Sequence, residues 1–126
     1  RHVKYDYVKH VYYAFVFSFD EVKIGISRNV FCEALAAEGI PCSGGYVKPL
    51  YLNPLYLEKR AFAYRHYSGN VKYEKGICPI SEILHEKEVV LLEICRYPAT
   101  LGDMQDVIDA IHKIIENKKE LTKKSN

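Results

Sequence analysis

The stretch Val89-Val90-Leu91-Leu92-Glu93-Ile94-Cys95-Arg96-Tyr97-Pro98-Ala99-Thr100 decides the fold class, because a strand ends and a helix begins within it. Val90, Leu92 and Ile94 fall on one face of an extended chain, Val89 and Leu91 on the other. Thr100 then caps a helix, with Asp103 three residues on in a capping-box-like pair. Beyond it Met104, Val107, Ile108, Ile111, Ile114 and Ile115 form one apolar stripe at helical spacing. Lys118 to Asn126 reads as a polar tail that frays.

Working outward, Val11 to Ser18 is a second strong strand. Val11, Tyr13, Phe15 and Phe17 share one face; Tyr12, Ala14, Val16 and Ser18 share the other. Both faces are largely apolar, which predicts a central, covered strand. Asp20 to Lys23 reads as a turn or loop. Ser27 caps a helix that starts at Arg28 and is anchored by Phe31 and Leu35. Gly39 ends that helix as a left-handed residue and Pro41 prevents its continuation. Ile40 to Ser43 is a short strand or extended segment. Pro79 opens a short helix to about Lys87, with Glu82 and Glu86 in water. Three strands with separate helices predict a two-layer α+β domain, its helices packed on a small, mainly antiparallel sheet.

A chain of 126 residues is one domain, 1–126, and with 48% hydrophobic residues it needs no disulfide or metal to fold. The net charge of +2 gives no argument for nucleic acid or a membrane surface. No signal peptide or long apolar run occurs, which predicts a soluble protein. Cys32, Cys42, Cys78 and Cys95 lack metal-site spacing and read as reduced, mostly buried thiols, as expected in the cytoplasm. The chain opens at Arg1 without a methionine, and we expect it to be part of a longer protein.

The loop Gly44-Gly45-Tyr46-Val47-Lys48-Pro49-Leu50-Tyr51-Leu52-Asn53-Pro54-Leu55-Tyr56 concentrates rigid and permissive residues around three tyrosines and a lysine. The glycine pair serves either a plain turn or a close backbone approach to a phosphate. Each tyrosine is either a packing residue or a hydroxyl donor to a ligand. Lys48 is an exposed charge, a contact to an anion, or, least in keeping with its surroundings, a nucleophile. Residues 44 to 77 show little periodicity, and so long an irregular stretch is either functional or disordered. Arg28 stands at the first helical position, against the helix dipole; it is solvated or paired with a carboxylate. The five histidines are scattered, and no nucleotide-binding, serine-hydrolase or zinc-protease motif occurs.

Four segments in order resemble the C-terminal part of the DegT/StrS-type sugar aminotransferases. The first is Arg28 with Leu35, Gly39 and Ile40. The second is the loop from Gly45 to Tyr56, where the family has a tyrosine, prolines, a leucine and a histidine. The third is Cys78-Pro79-Ile80-Ser81-Glu82, similar to a proline-x-alanine-glutamate helix start. The fourth runs from Arg96-Tyr97-Pro98-Ala99-Thr100 through Asp106-Val107-Ile108 to Ala110-Ile111. The wording Ala37-Glu38-Gly39-Ile40-Pro41 looks most like the branch that aminates inososes and related cyclitols. The resemblance implies the small C-terminal domain of a fold-type I enzyme dependent on pyridoxal phosphate. It implies a large N-terminal domain, outside this chain, holding the cofactor and its Schiff-base lysine. It further implies a homodimer and transfer of an amino group from glutamate or glutamine to a keto-sugar or cyclitol. This chain alone would then carry no catalytic residue and no bound cofactor or metal. Tyr51, at the position of the family's loop histidine, with Tyr46 and Lys48, would contact substrate, Tyr51 by donating a hydrogen bond. A stand-alone ligand-binding or regulatory module and a protein-interaction domain are the alternatives.

Overall fold

A computed structural model describes residues 5–9, 12–60 and 62–123. Val11, expected to open the first strand, and residues 124–126 of the expected tail lie outside them. The fold is α+β: strands β1 (Phe15–Ser18), β2 (Cys42–Gly44) and β3 (Val89–Leu92) form one open antiparallel sheet in the order β1-β3-β2. Phe15 stands opposite Leu92 and Phe17 opposite Val90, while Cys42 and Gly44 stand opposite Leu92 and Val90 from the other side. Alternation therefore puts Phe15, Phe17, Val90, Leu92 and Cys42 on one face. That face carries helix α2 (Arg28–Ala37) and helix α5 (Leu101–Glu116), with Phe31, Leu35, Val107, Ala110 and Ile114 buried against it.

The first strand is an edge, not the centre, because β2 and β1 both pair with β3. Its second apolar face is uncovered at Val16, which is half exposed. β3 is also shorter than its apolar run. The N–H of Glu93 donates to the carbonyl of Pro41 (3.1 Å), and at Ile94 the chain turns, Arg96 N–H meeting the Ile94 carbonyl at 2.7 Å.

The caps follow the local sequence. Ser27 accepts from the Val30 N–H, and Gly39 ends α2 at φ 86° while the Ile40 N–H reaches back to the Leu35 carbonyl. Thr100 and Asp103 form a complete capping box on α5. Within the α5 stripe Val107 and Ile114 are buried, but Ile108 is 45% exposed because the seam runs through Ala110 and Ile111 instead. Asp20 to Lys23, expected as a turn, forms the short helix α1 (Glu21–Ile24): the Asp20 carboxylate accepts the Lys23 N–H at 3.0 Å and Gly25 closes it. The expected tail is in part the helix α6 (Lys118–Lys123). Leu121 packs on the core, and the Lys118 ammonium donates to the Ile24 carbonyl at 2.6 Å.

Arg28 is neither solvated nor paired with a carboxylate. Only 6% exposed, its guanidinium donates to the carbonyls of His85 (2.7 Å), Glu86 (2.7 Å) and Val89 (3.3 Å) and to the Asn29 side-chain oxygen. The first two carbonyls lie in the π-turn over Leu84–Glu88 that continues the helix α4 (Pro79–Ile83), and the third opens β3. A helix end leaves carbonyls without partners, and a cation there satisfies them and opposes the dipole. Gly44 and Gly45 make room for this contact. A Cβ on Gly44 would lie 2.8 Å from the Arg28 Nε, and one on Gly45, at φ 75°, would lie 2.6 Å from the His85 carbonyl oxygen.

Arg28→Met should therefore lower unfolding free energy by about 3 kcal/mol, since buried carbonyls lose a charged donor. Arg28→Lys should restore only part of it, because one ammonium cannot serve so many acceptors; urea denaturation reads both. Gly45→Ala should cost clearly more than Gly39→Ala. Gly39 has open space around it and would incur only the left-handed penalty of about 1 kcal/mol. Equal losses in the two alanine variants would show that the approach of Gly45 to His85 is not tight in solution.

Candidate functional site

The loop leaves β2 at Gly44, passes through a turn of 3-10 helix over Leu50–Leu52 and enters the short helix α3 (Pro54–Leu57), with Pro54 in its first turn. Tyr46, Lys48 and Tyr51 therefore stand on irregular backbone between two rigid ends, but they point to different places. Tyr46 is half exposed and meets the Tyr13 ring edge-on at 6.5 Å. The Tyr13 hydroxyl, hydrogen-bonded to it, raises the Tyr46 phenol above its usual pKa. Together they border a cavity of about 170 Å³ whose floor includes Phe15, Leu91 and Leu92. Glu93, Cys95 and Arg96, just past the end of β3, complete it. Lys48 is exposed and, like Tyr51, does not line this cavity.

Tyr51 turns instead toward α4. Its hydroxyl donates to the Glu82 carboxylate and lies 3.4 Å from the Cys78 carbonyl. Burial, then the neighbouring carboxylate, pushes the phenol up to about 12. Glu82, expected in water, is only 6% exposed. Its same oxygen accepts the Gly76 N–H at 2.7 Å, and the Tyr51 hydroxyl and this N–H hold its carboxyl below the usual range. The Tyr51 hydroxyl, expected to donate to a substrate, donates to Glu82 in this structure. Glu86, by contrast, is exposed as expected and pairs with Lys75 at 2.6 Å.

Chemically the cavity is fitted to binding. Arg96 brings a guanidinium and Glu93 a carboxylate of opposite charge, Tyr13 and Tyr46 bring hydroxyls, and Phe15, Leu91 and Leu92 add apolar surface. Among the described residues no histidine lines it, and burial raises the Cys95 thiol above its ordinary value, which disfavours the nucleophilic thiolate. Among the described residues no His/Cys/Asp/Glu cluster could hold a metal ion. The four thiols are free; Cys32, Cys42 and Cys95 are half-buried, while Cys78 is exposed, unlike the expectation for a buried thiol.

Sequence reasoning missed Glu82 as part of the site. The available signal was its place in the first turn after Cys78-Pro79, where a carboxylate is favoured and its reach is limited to nearby loops. Tyr13 was assigned to a strand face, and nothing local marks it as bordering a cavity with a residue 33 positions away.

The phenol of Tyr51 gives a direct check. A fold that holds it protonated gains stability below the ordinary tyrosine range near pH 10, and loses that gain as pH rises through about 12. An absorbance titration should show a tyrosine fraction ionising near 12, shared with Tyr64, which its hydrogen bond to Tyr73 pushes to a similar value. Tyr51→Phe should remove part of that fraction; an unchanged curve would mean that the Tyr51 phenol is free in solution.

Among the described residues no helix is long and apolar enough to cross a membrane. Comparison of the chain with protein-family models, with curated proteins and with solved structures finds no match.

Proposed function

We propose that this chain is the small C-terminal domain of a fold-type I, pyridoxal-phosphate-dependent aminotransferase of the DegT/StrS type. Its parent enzyme moves an amino group from glutamate or glutamine to a keto-sugar or cyclitol, as a cytoplasmic homodimer. The observation that carries the reading is that segments of the resemblance separated along the chain lie together in space. Arg28, from the first, holds the carbonyls of His85 and Glu86, just after the third. Tyr51, from the second, donates to Glu82, which ends the third. The second and third segments are thus in direct contact, and the first is joined to the turn that follows the third. The α+β architecture, with helices on one face of a small antiparallel sheet, agrees with a domain that covers one side of a cleft.

In this reading the cofactor, when bound in the large domain, supplies the electron sink for amino transfer. This chain supplies the substrate-facing edge. Tyr46, with Tyr13 and Arg96, offers hydroxyls and a cation to a polyhydroxylated substrate, Lys48 adds an exposed charge on the same loop, away from the cavity, and Tyr51 holds the loop in place through Glu82.

The natural full-length polypeptide, purified with pyridoxal phosphate, should show a yellow aldimine absorbance that glutamate bleaches. Tyr46→Phe in it should raise KM for the keto-sugar about tenfold, with a smaller change in kcat, because the lost hydroxyl contacts bound substrate. Borohydride reduction of the 126-residue chain with the cofactor should label exposed lysines without preference. A stoichiometric adduct at Lys48 would overturn the placement of the Schiff-base lysine outside this chain. Absence of aldimine from the full-length polypeptide would remove the aminotransferase reading. The cavity at Tyr13, Tyr46 and Arg96, complete within this chain, would then favour a ligand-binding module.

A further inference from the structure

The described residues from Tyr46 to Ile77 are not among those of the hydrophobic core, which is built from residues before Ser43 and from Val90 onward. They are joined among themselves by tyrosines: the Tyr64 hydroxyl donates to that of Tyr73 at 3.0 Å, and the Tyr56 and Tyr73 rings lie 5.5 Å apart. The attachments of this segment to α4 and its π-turn are polar. Tyr51, near its start, and Gly76, near its end, both donate to the same Oε1 of Glu82. The further links are a 3.4 Å contact of the Tyr51 hydroxyl with the Cys78 carbonyl and the exposed pair of Lys75 with Glu86. Exposed ion pairs of this kind hold little on their own.

We propose that Glu82 is the clasp of a strap running from Tyr51 to Gly76 (residue 61 aside), which opens and closes as one body while the sheet and its helices stay folded. One carboxylate oxygen holds both ends of the strap, so losing it frees both at once. The tyrosine contacts inside the strap do not involve Glu82 and keep it together. The core does not involve the strap and stays closed. Segments with few buried apolar contacts open at low free energy, and here the opening is concentrated at one buried side chain. The loop carrying Tyr51 and Tyr56 is thereby gated from within the chain, whatever ligand it meets.

Amide hydrogen exchange on the whole chain tests this. Glu82→Ala should accelerate exchange across α3, the turn at Phe62–His66 and Gly76 together, by about tenfold or more, given the usual strength of hydrogen bonds to a charged group. Amides of β3 and α5 should keep their wild-type rates. Tyr51→Phe, which retains the ring and the carboxylate, should accelerate the same set by a smaller factor, and it decides the matter if Glu82→Ala does not fold. Acceleration confined to the neighbours of the altered residue, acceleration extending equally to β3 and α5, or no acceleration in either variant would each overturn the clasp. Aminotransferase activity does not enter any of these readouts, so their failure and that of the functional reading are distinguishable.

Discussion

The guanidinium of Arg28 is the contact on which the arrangement of elements depends. It reaches from the first turn of α2 to the carbonyls of His85, Glu86 and Val89, and so fixes a helix, a π-turn and the start of the central strand relative to one another. Burying a charge is costly unless its donors are met, and here three carbonyls and the Asn29 oxygen meet them. A planar fork with five donors suits this task, while a single ammonium does not. Without it the wide turn would leave buried carbonyls unpartnered beside β3. The Gly44–Gly45 pair follows from the same constraint. Its glycines are needed because a side chain at either place would collide with Arg28 or with the His85 carbonyl. That answers the choice between a plain turn and a phosphate loop in favour of a close approach between two parts of the protein.

The core and the tyrosine-bearing segment are built on different physics. Phe31, Leu35 and Val90 are almost fully enclosed, and the sheet, α2 and α5 bury one continuous apolar seam. The segment from Tyr46 to Ile77 is outside that seam and is attached by hydrogen bonds and one ion pair. A change in the segment therefore has little leverage on the core, which is the usual division between a scaffold and the loops it carries. The division also explains why an irregular stretch of this length persists in a small domain: its cost is limited to ordering its own backbone, offset by the tyrosine contacts and the Glu82 anchor.

What was legible in the sequence is what is decided locally. Ser27, Gly39, Thr100 and Asp103 act within three or four residues, and their caps form as their types dictate. The paired apolar faces gave the right strands but not their order. β1 looked central because both its faces are apolar, yet only β3 has a partner on each side. Arg28 and Glu82 were misjudged because their partners lie far along the chain, 57 and 58 residues away for the Arg28 contacts with His85 and Glu86, and 31 for the Tyr51 contact with Glu82. No periodicity carries such information. The helical part of the expected tail was hidden for a related reason: Lys118 is stabilised by the Ile24 carbonyl, 94 residues earlier.

The exchange of a histidine for Tyr51, relative to the family that the chain resembles, has a consequence for the site as a whole. An imidazole can donate from one nitrogen and accept at the other, so it can be held by the protein and still serve a ligand. A phenol has one proton. In this chain the proton goes to Glu82, and the raised phenol keeps it there at neutral pH. Under the proposed function, recognition of a substrate would then rely on groups other than Tyr51. Tyr46 and Tyr13 have hydroxyls at the cavity, and Arg96 supplies a cation there that a histidine would match only when protonated. Tyr51 thus fastens the loop to α4, while Tyr46 and the end of β3 border the cavity.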